Sequence, residues 1–228
     1  MPMFIVIRRS HIILVLILVV VLLLLLLLRI PRISQVSGPI FKGNPENKAV
    51  AFCINVAWGN EYIPSILQTL KENNCQATFF FVGTWVRDYP KLGKTIARAG
   101  HEIGNHGYYH LHPASLTKEK LQKLIIENEE LLQRELGRTS KLFAPPYGEF
   151  NKKIVAYADE IGYKTVMWTI DTIDWKNPAP EVLIKRVLSN LQNGALILAH
   201  PTEVTAKTLP LLISEIKKQG YKIVTVSE

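Results

Sequence analysis

Two imidazoles four residues apart, His106 and His110, lie in the stretch Asn105-His106-Gly107-Tyr108-Tyr109-His110 and can face a single cation. A neutral pair of this kind suits zinc or a related divalent ion in an open site, where the cation polarises a carbonyl and acidifies a bound water. Far along the chain, His200 follows an apolar run and is of the residue type needed for a proton donor. Asn55 and Val56, at the end of another apolar run, bring an amide and an isopropyl group where such chemistry calls for carboxylates.

These residues must be positioned by a folded domain, and 228 residues with 48% hydrophobic content suit one globular domain plus one membrane segment. The run 12–28 is unbroken apolar, with Arg8 and Arg9 before it and Arg29 and Arg32 after it. About 18 apolar residues suffice to span a bilayer, and arginines at both ends can reach the interface. A cleavable signal peptide is the competing reading, but the run ends Leu28-Arg29-Ile30-Pro31-Arg32 rather than in small residues. The expectation is a short segment 1–11, a single-pass anchor 12–28, a linker 29–47 rich in Ser, Gly and Pro, and a domain over 48–228. Charge decides the orientation only weakly.

Setting aside Arg8, Arg9 and Arg29, 24 basic residues stand against 19 acidic ones. The lysines are scattered along helix patterns such as 118–123 without interleaved aromatics, which describes a solvated face and no nucleic-acid partner. Cys53 and Cys75 sit among apolar residues and read as buried free thiols.

Strand-like runs at 50–55, 77–82, 102–104, 142–144, 164–168, 195–198 and 222–226 alternate with helix patterns at 61–73, 91–99, 117–137, 151–161, 179–191 and 206–219. Such alternation predicts an α/β fold, a closed or nearly closed (β/α) barrel of about seven strands, with a doubly wound sheet as the alternative. The chemistry of a barrel gathers at the carboxyl ends of its strands. Asn55, His106, Pro145-Pro146-Tyr147, 171–175 and His200 all follow strand-like runs.

Five segments then carry a resemblance: Ala77-Thr-Phe-Phe-Phe-Val-Gly83, Gly100-His-Glu-Ile-Gly-Asn-His106, Pro145-Pro-Tyr-Gly148, Trp168-Thr-Ile-Asp-Thr-Ile-Asp-Trp175 and Leu196-Ile-Leu-Ala-His200. In order and spacing, 48–227 resembles the polysaccharide deacetylase family, the NodB homology domain of carbohydrate esterase family 4. Val56-Ala57-Trp58-Gly59 resembles the family's sporulation-associated branch. The resemblance implies a distorted NodB-type barrel and removal of N-acetyl groups from amino sugars of peptidoglycan or another amino-sugar polymer. It also implies a divalent metal (zinc, cobalt or nickel) and, for the domain, a place outside the cytoplasm at the cell membrane.

Residue by residue, the resemblance makes His106 and His110 metal ligands, His200 the catalytic acid and Asp174 its partner, with Asp171 a weaker candidate for that support. Tyr147, Pro146, Trp168 and Trp175 match groove residues, though each has an ordinary packing reading. Asn55 falls at the base aspartate, Val56 at the metal aspartate, Ala144 at the arginine that holds the base, and Gly107 at a serine or threonine. Loss of a positioned base costs about 10²- to 10⁴-fold in rate, and the arginine and its aspartate are absent together. His112, Glu61, Glu149 and Glu203 are candidates to replace the lost groups. Two readings stand: a metal-dependent amide hydrolase of envelope glycans, and a silent relative that binds glycan or shapes the envelope. Restoring Asn55→Asp with Val56→Asp is expected to separate them.

Overall fold

The computed structural model describes residues 38–228 together with Leu18 and Val19. Segment 1–11, the rest of the expected anchor 12–28 and the start of the linker lie outside the described residues. Among the described residues, no helix is long and apolar enough to cross a membrane. Everything below belongs to the unit 36–228.

Strands β1 (Ala49–Val56), β2 (Thr78–Phe81), β3 (Glu102–Asn105), β4 (Leu142–Phe143), β5 (Lys164–Thr165), β6 (Ile170–Asp171), β7 (Ala195–Ala199) and β8 (Lys222–Val224) form one sheet. It runs in the order β5-β4-β3-β2-β1-β7-β6, with β8 beside the start of β1. All these pairings are parallel. Helices α1 (Ile63–Glu72), α2 (Gly83–Asp88), α3 (Pro90–Arg98), α4 (Lys118–Leu136), α5 (Lys152–Glu160), α6 (Pro180–Ser189) and α7 (Glu203–Lys218) connect the strands.

β1 is apolar at nearly every position because both of its faces are covered, as a parallel sheet requires. Val50, Phe52, Ile54 and Val56 point toward the helices, packing in one core with Ile63, Ile66, Phe79, Phe81, Leu212 and Ile213. Ala51 and Cys53 point the other way, into the curl of the sheet, with Phe80, Leu142, Ala144, Val166 and Leu196. Cys53 and Cys75 are buried and unbonded.

The barrel is a curled half-barrel and not closed by strand pairing, for β5 and β6 are the ends of the path. Residues of the expected linker fill the seam. Ile40 donates its N–H to Thr165 and accepts from Met167, both at 2.8 Å, Gly43 donates to Gly194, and Thr169 Oγ1 donates to the Phe41 carbonyl. Isolated bridges have no repeating pattern, so this pairing left no periodic trace among the Gly and Pro residues around it. α7 begins at Glu203, three residues before its apolar pattern, because Thr202 accepts the Thr205 N–H and caps it.

His101, just before β3, is a structural histidine: its Nδ1 accepts the Ala77 N–H at 3.3 Å. Burial, with a smaller contribution from the Arg138 charge, pushes its pKa down to about 4. The unfolded imidazole takes a proton below about pH 6.5 while the folded one resists. The stability contributed by neutral His101 is therefore complete above pH 6.5 and lost as pH falls toward 4, on the order of 3 kcal/mol. Urea midpoints between pH 4 and 8 should show this decline, and it should be smaller in His101→Gln; equal slopes in the two proteins would assign the decline elsewhere.

Candidate active site

β7 delivers His200, and a buried carboxylate fixes it. Asp174 accepts the His200 ring N–H at Nδ1 (2.8 Å) on one oxygen, and the His200 backbone N–H and the Thr205 hydroxyl (each 2.6 Å) on the other. Asp174 opens the short turn Asp174–Lys176, entered through Ile173 at a left-handed φ of 53°, and Arg186 donates to the Thr172 carbonyl behind it (2.7 Å). With Nδ1 committed to a carboxylate, Nε2 is the nitrogen left for a reacting group. Asp171 instead accepts the Ile173 N–H (2.8 Å) and shapes the turn, while the carboxylate bonded to His200 is that of Asp174. Asp174→Ala is expected to lower stability by about 2–4 kcal/mol, since it leaves two buried donors and the imidazole without their acceptor. A urea midpoint unchanged from the parent protein would contradict this.

β3 delivers the histidine pair. His106 donates its backbone N–H to Phe81 (2.9 Å) and its Nδ1–H to the Ala144 carbonyl (2.6 Å), which again leaves Nε2 with the free lone pair. Burial first, then the neighbouring His110, pushes the His106 pKa down to about 3, so the ring is neutral at pH 7. Burial, then His200, also lowers that of His110. The two rings lie 5.0 Å apart at 64°. Asn105 sets the turn between them, its Oδ1 accepting from Gly107 N (2.8 Å) and Asn128 Nδ2 (2.9 Å). Gly107 has φ 80° and its added Cβ would crowd Leu124 at 3.1 Å, so the backbone accounts for a glycine there. Asn128, buried in mid-helix, also donates to Phe81 and ties α4 to β2.

Asn55 is 4% exposed, and its Oδ1 is buried without a hydrogen-bond partner. It stands one residue beyond the Ile54–Ala199 pair and thus beside His200, on the inward face of Ala51 and Cys53. Val56 does not join it. The side chain of Val56 is fully buried in the helix-side core, which corrects the expectation that position 56 offers a place for a metal ligand. Ala144, where the resemblance implied an arginine, is packed into the inward core and contributes its carbonyl to His106.

Three of the four candidates for replacement are engaged elsewhere: His112 Nδ1 and Glu149 Oε1 bond each other at 2.7 Å, and Glu203 pairs with Lys207, while Glu61 is exposed. Among the described residues, no group of three or more His, Cys, Asp or Glu side chains could hold a metal ion. Two neutral imidazoles and a neutral amide fall one anionic donor short of a zinc centre, so the residues present do not fit the metal that the resemblance implied.

The rim is aromatic. Tyr147, at φ 58°, packs against His110 (4.4 Å) and stacks on His112 (3.9 Å, 6°), and its hydroxyl donates to the His110 carbonyl at 3.3 Å. Pro146 is buried beneath it. Trp168 is half-buried on the inward core and touches Gly148, whose Cβ would come within 2.4 Å of the indole. Trp175 is exposed under the Lys176 ammonium. Sequence reasoning missed Thr205 and Asn128 as supports, and Trp58, whose indole stacks on His200. A polar residue on an apolar helix face was the only signal, available for Asn128.

Residues 42–166 match the family model for polysaccharide deacetylase. The chain is 50% identical over 190 residues to protein YlxY of Bacillus subtilis, covering 83% of this chain and 60% of that protein. It is 36% identical over 188 residues to a peptidoglycan-N-acetylglucosamine deacetylase of Bacillus cereus, covering 80% of this chain and 68% of the relative. The crystal structure of BA3943, a pseudoenzyme of the CE4 family from Bacillus anthracis, superposes with a TM-score of 0.81 at 40% identity, covering 83% of this chain and 68% of that one. A BA3943 mutant with restored enzymatic activity superposes equally well.

Proposed function

The chain belongs to the polysaccharide deacetylase family, and on that footing we propose that its site receives the N-acetyl amino sugars of a peptidoglycan-type glycan and, as the chain stands, turns them over slowly. The observation that carries this reading is an intact acid arm, His200 on Asp174 and Thr205, facing two preset imidazoles across an amide. His200 would hand its Nε2 proton to the leaving amine, with Asp174 stabilising the ring. Asn55 cannot take the proton of the attacking water, and the loss of that base alone accounts for about 10²- to 10⁴-fold in rate. The same amide, with no carboxylate near the histidine pair, favours a second reading in which the protein binds glycan or shapes the envelope without hydrolysis.

We further propose that the run 12–28 anchors the protein in the cell membrane, which its length and the arginines at both ends support, with the domain outside the cytoplasm, where peptidoglycan lies. The likeness of 56–59 to the sporulation-associated branch extends the proposal to the spore envelope. Titration of the full chain with β-1,4-linked N-acetylglucosamine oligomers should show saturable binding that survives a chelator. Absence of binding to these and to peptidoglycan fragments would sink the reading.

A further inference from the structure

Trp58 touches both arms of the site. Its indole lies on the His200 ring at 5.2 Å and 14°, and meets His110 edge-on at 6.5 Å and 87°. His200 covers one face only, and Trp58 is 44% exposed. The loop that carries it is held closely. Gly59 has φ 77°, and a Cβ there would stand 1.8 Å from the Pro201 carbonyl oxygen, so the backbone after Trp58 rests on the residue after His200. The rings continue past His110 to Tyr147 and His112.

A pyranose has an apolar C–H face and hydroxyls around its edge. Stacked on an indole, it removes apolar area from water and leaves its polar groups solvated. Because His200 lies against the inner face of Trp58, a sugar on the outer face is one indole thickness from the acid and is not the unit whose amide reacts. We propose that Trp58 is the platform for the neighbouring sugar, so that the site takes linked amino sugars in preference to single ones. The inference rests on the glycan reading of the site given above and adds to it the residue that sets the preference for a linked oligomer over a single sugar.

Calorimetry on the full chain with N-acetylglucosamine and with its β-1,4-linked tetramer tests this in the parent protein, Trp58→Ala and Trp58→Phe, each checked for an unchanged urea midpoint. The ratio of tetramer to monosaccharide affinity should fall about tenfold in Trp58→Ala, the factor that 1.4 kcal/mol of lost stacking produces, and most of it should return in Trp58→Phe. An unchanged ratio, with both affinities weakened alike or neither altered, would overturn the platform and reduce Trp58 to a support for His200. A parent protein that binds neither sugar would overturn the platform, and one that also fails to bind peptidoglycan fragments would overturn the glycan reading itself.

Discussion

Val56→Asp is expected to unfold the domain rather than complete its site. Alignment by motif puts a carboxylate at this position, but here the side chain lies under the helices with Ile63 and Phe81 and is fully buried. An aspartate there would have no cation or donor to meet, so the carboxyl would stay protonated at a pKa several units above its usual value. Folding would then cost about 4 kcal/mol at pH 7, on top of the lost packing. Together with the lost packing, that consumes a total stability in the lower part of the usual range of about 5–15 kcal/mol. The sign of the pH dependence follows. A carboxyl whose folded pKa is raised penalises folding above its unfolded pKa of about 3.9, and the penalty shrinks as pH falls toward that value. Urea unfolding at pH 7 and pH 4.5 should find the variant closer to the parent protein at the lower pH. A variant that folds within about 1 kcal/mol of the parent at pH 7 would show that position 56 reaches a polar environment.

The same residue shows where the sequence was legible and where it was not. The strands and helices of the half-barrel, β6 and α2 apart, repeat apolar residues with the periods of buried strands and amphipathic helices, so their order was readable from 48 onward, as were His106 and His200 after strand ends. Asn55 and Val56 are neighbours in a motif and were read together as members of one site. A strand sends successive side chains to opposite faces, and that geometry outweighs the motif. The seam residues 40–43 make single bridges rather than a ladder, so composition alone described them as linker. The Asp174–Thr205 and Asn105–Asn128 bonds join positions 31 and 23 residues apart. No local pattern announces a contact at that distance, and α2, at six residues, is too short for a period to show.

Asn55→Asp alone, by contrast, is expected to raise deacetylation by about 10²- to 10⁴-fold, the range that a positioned general base contributes. Position 55 faces inward beside His200, and asparagine and aspartate have the same shape, so the substitution needs little rearrangement, while the bound cation would supply the partner that the buried oxygen lacks. The new group would be the anion that the neutral His106 and His110 lack, and zinc affinity should rise with activity. The measurement is acetate release from the N-acetylglucosamine tetramer with zinc, cobalt or nickel present, beside a direct zinc titration. Two controls separate the metal ligands from the acid arm. His106→Ala in the Asn55→Asp background should abolish the gain in zinc affinity, whereas Asp174→Asn in that background should spare zinc binding and remove the gain in rate, because the acid loses its orienting carboxylate. Val56→Asp added to Asn55→Asp should lower stability without raising either quantity. If Asn55→Asp gained neither zinc affinity nor rate, the histidine pair and the acid arm would be relics of packing. A gain in both from one atom exchanged at one position would mean that the site has been kept intact around a silent amide.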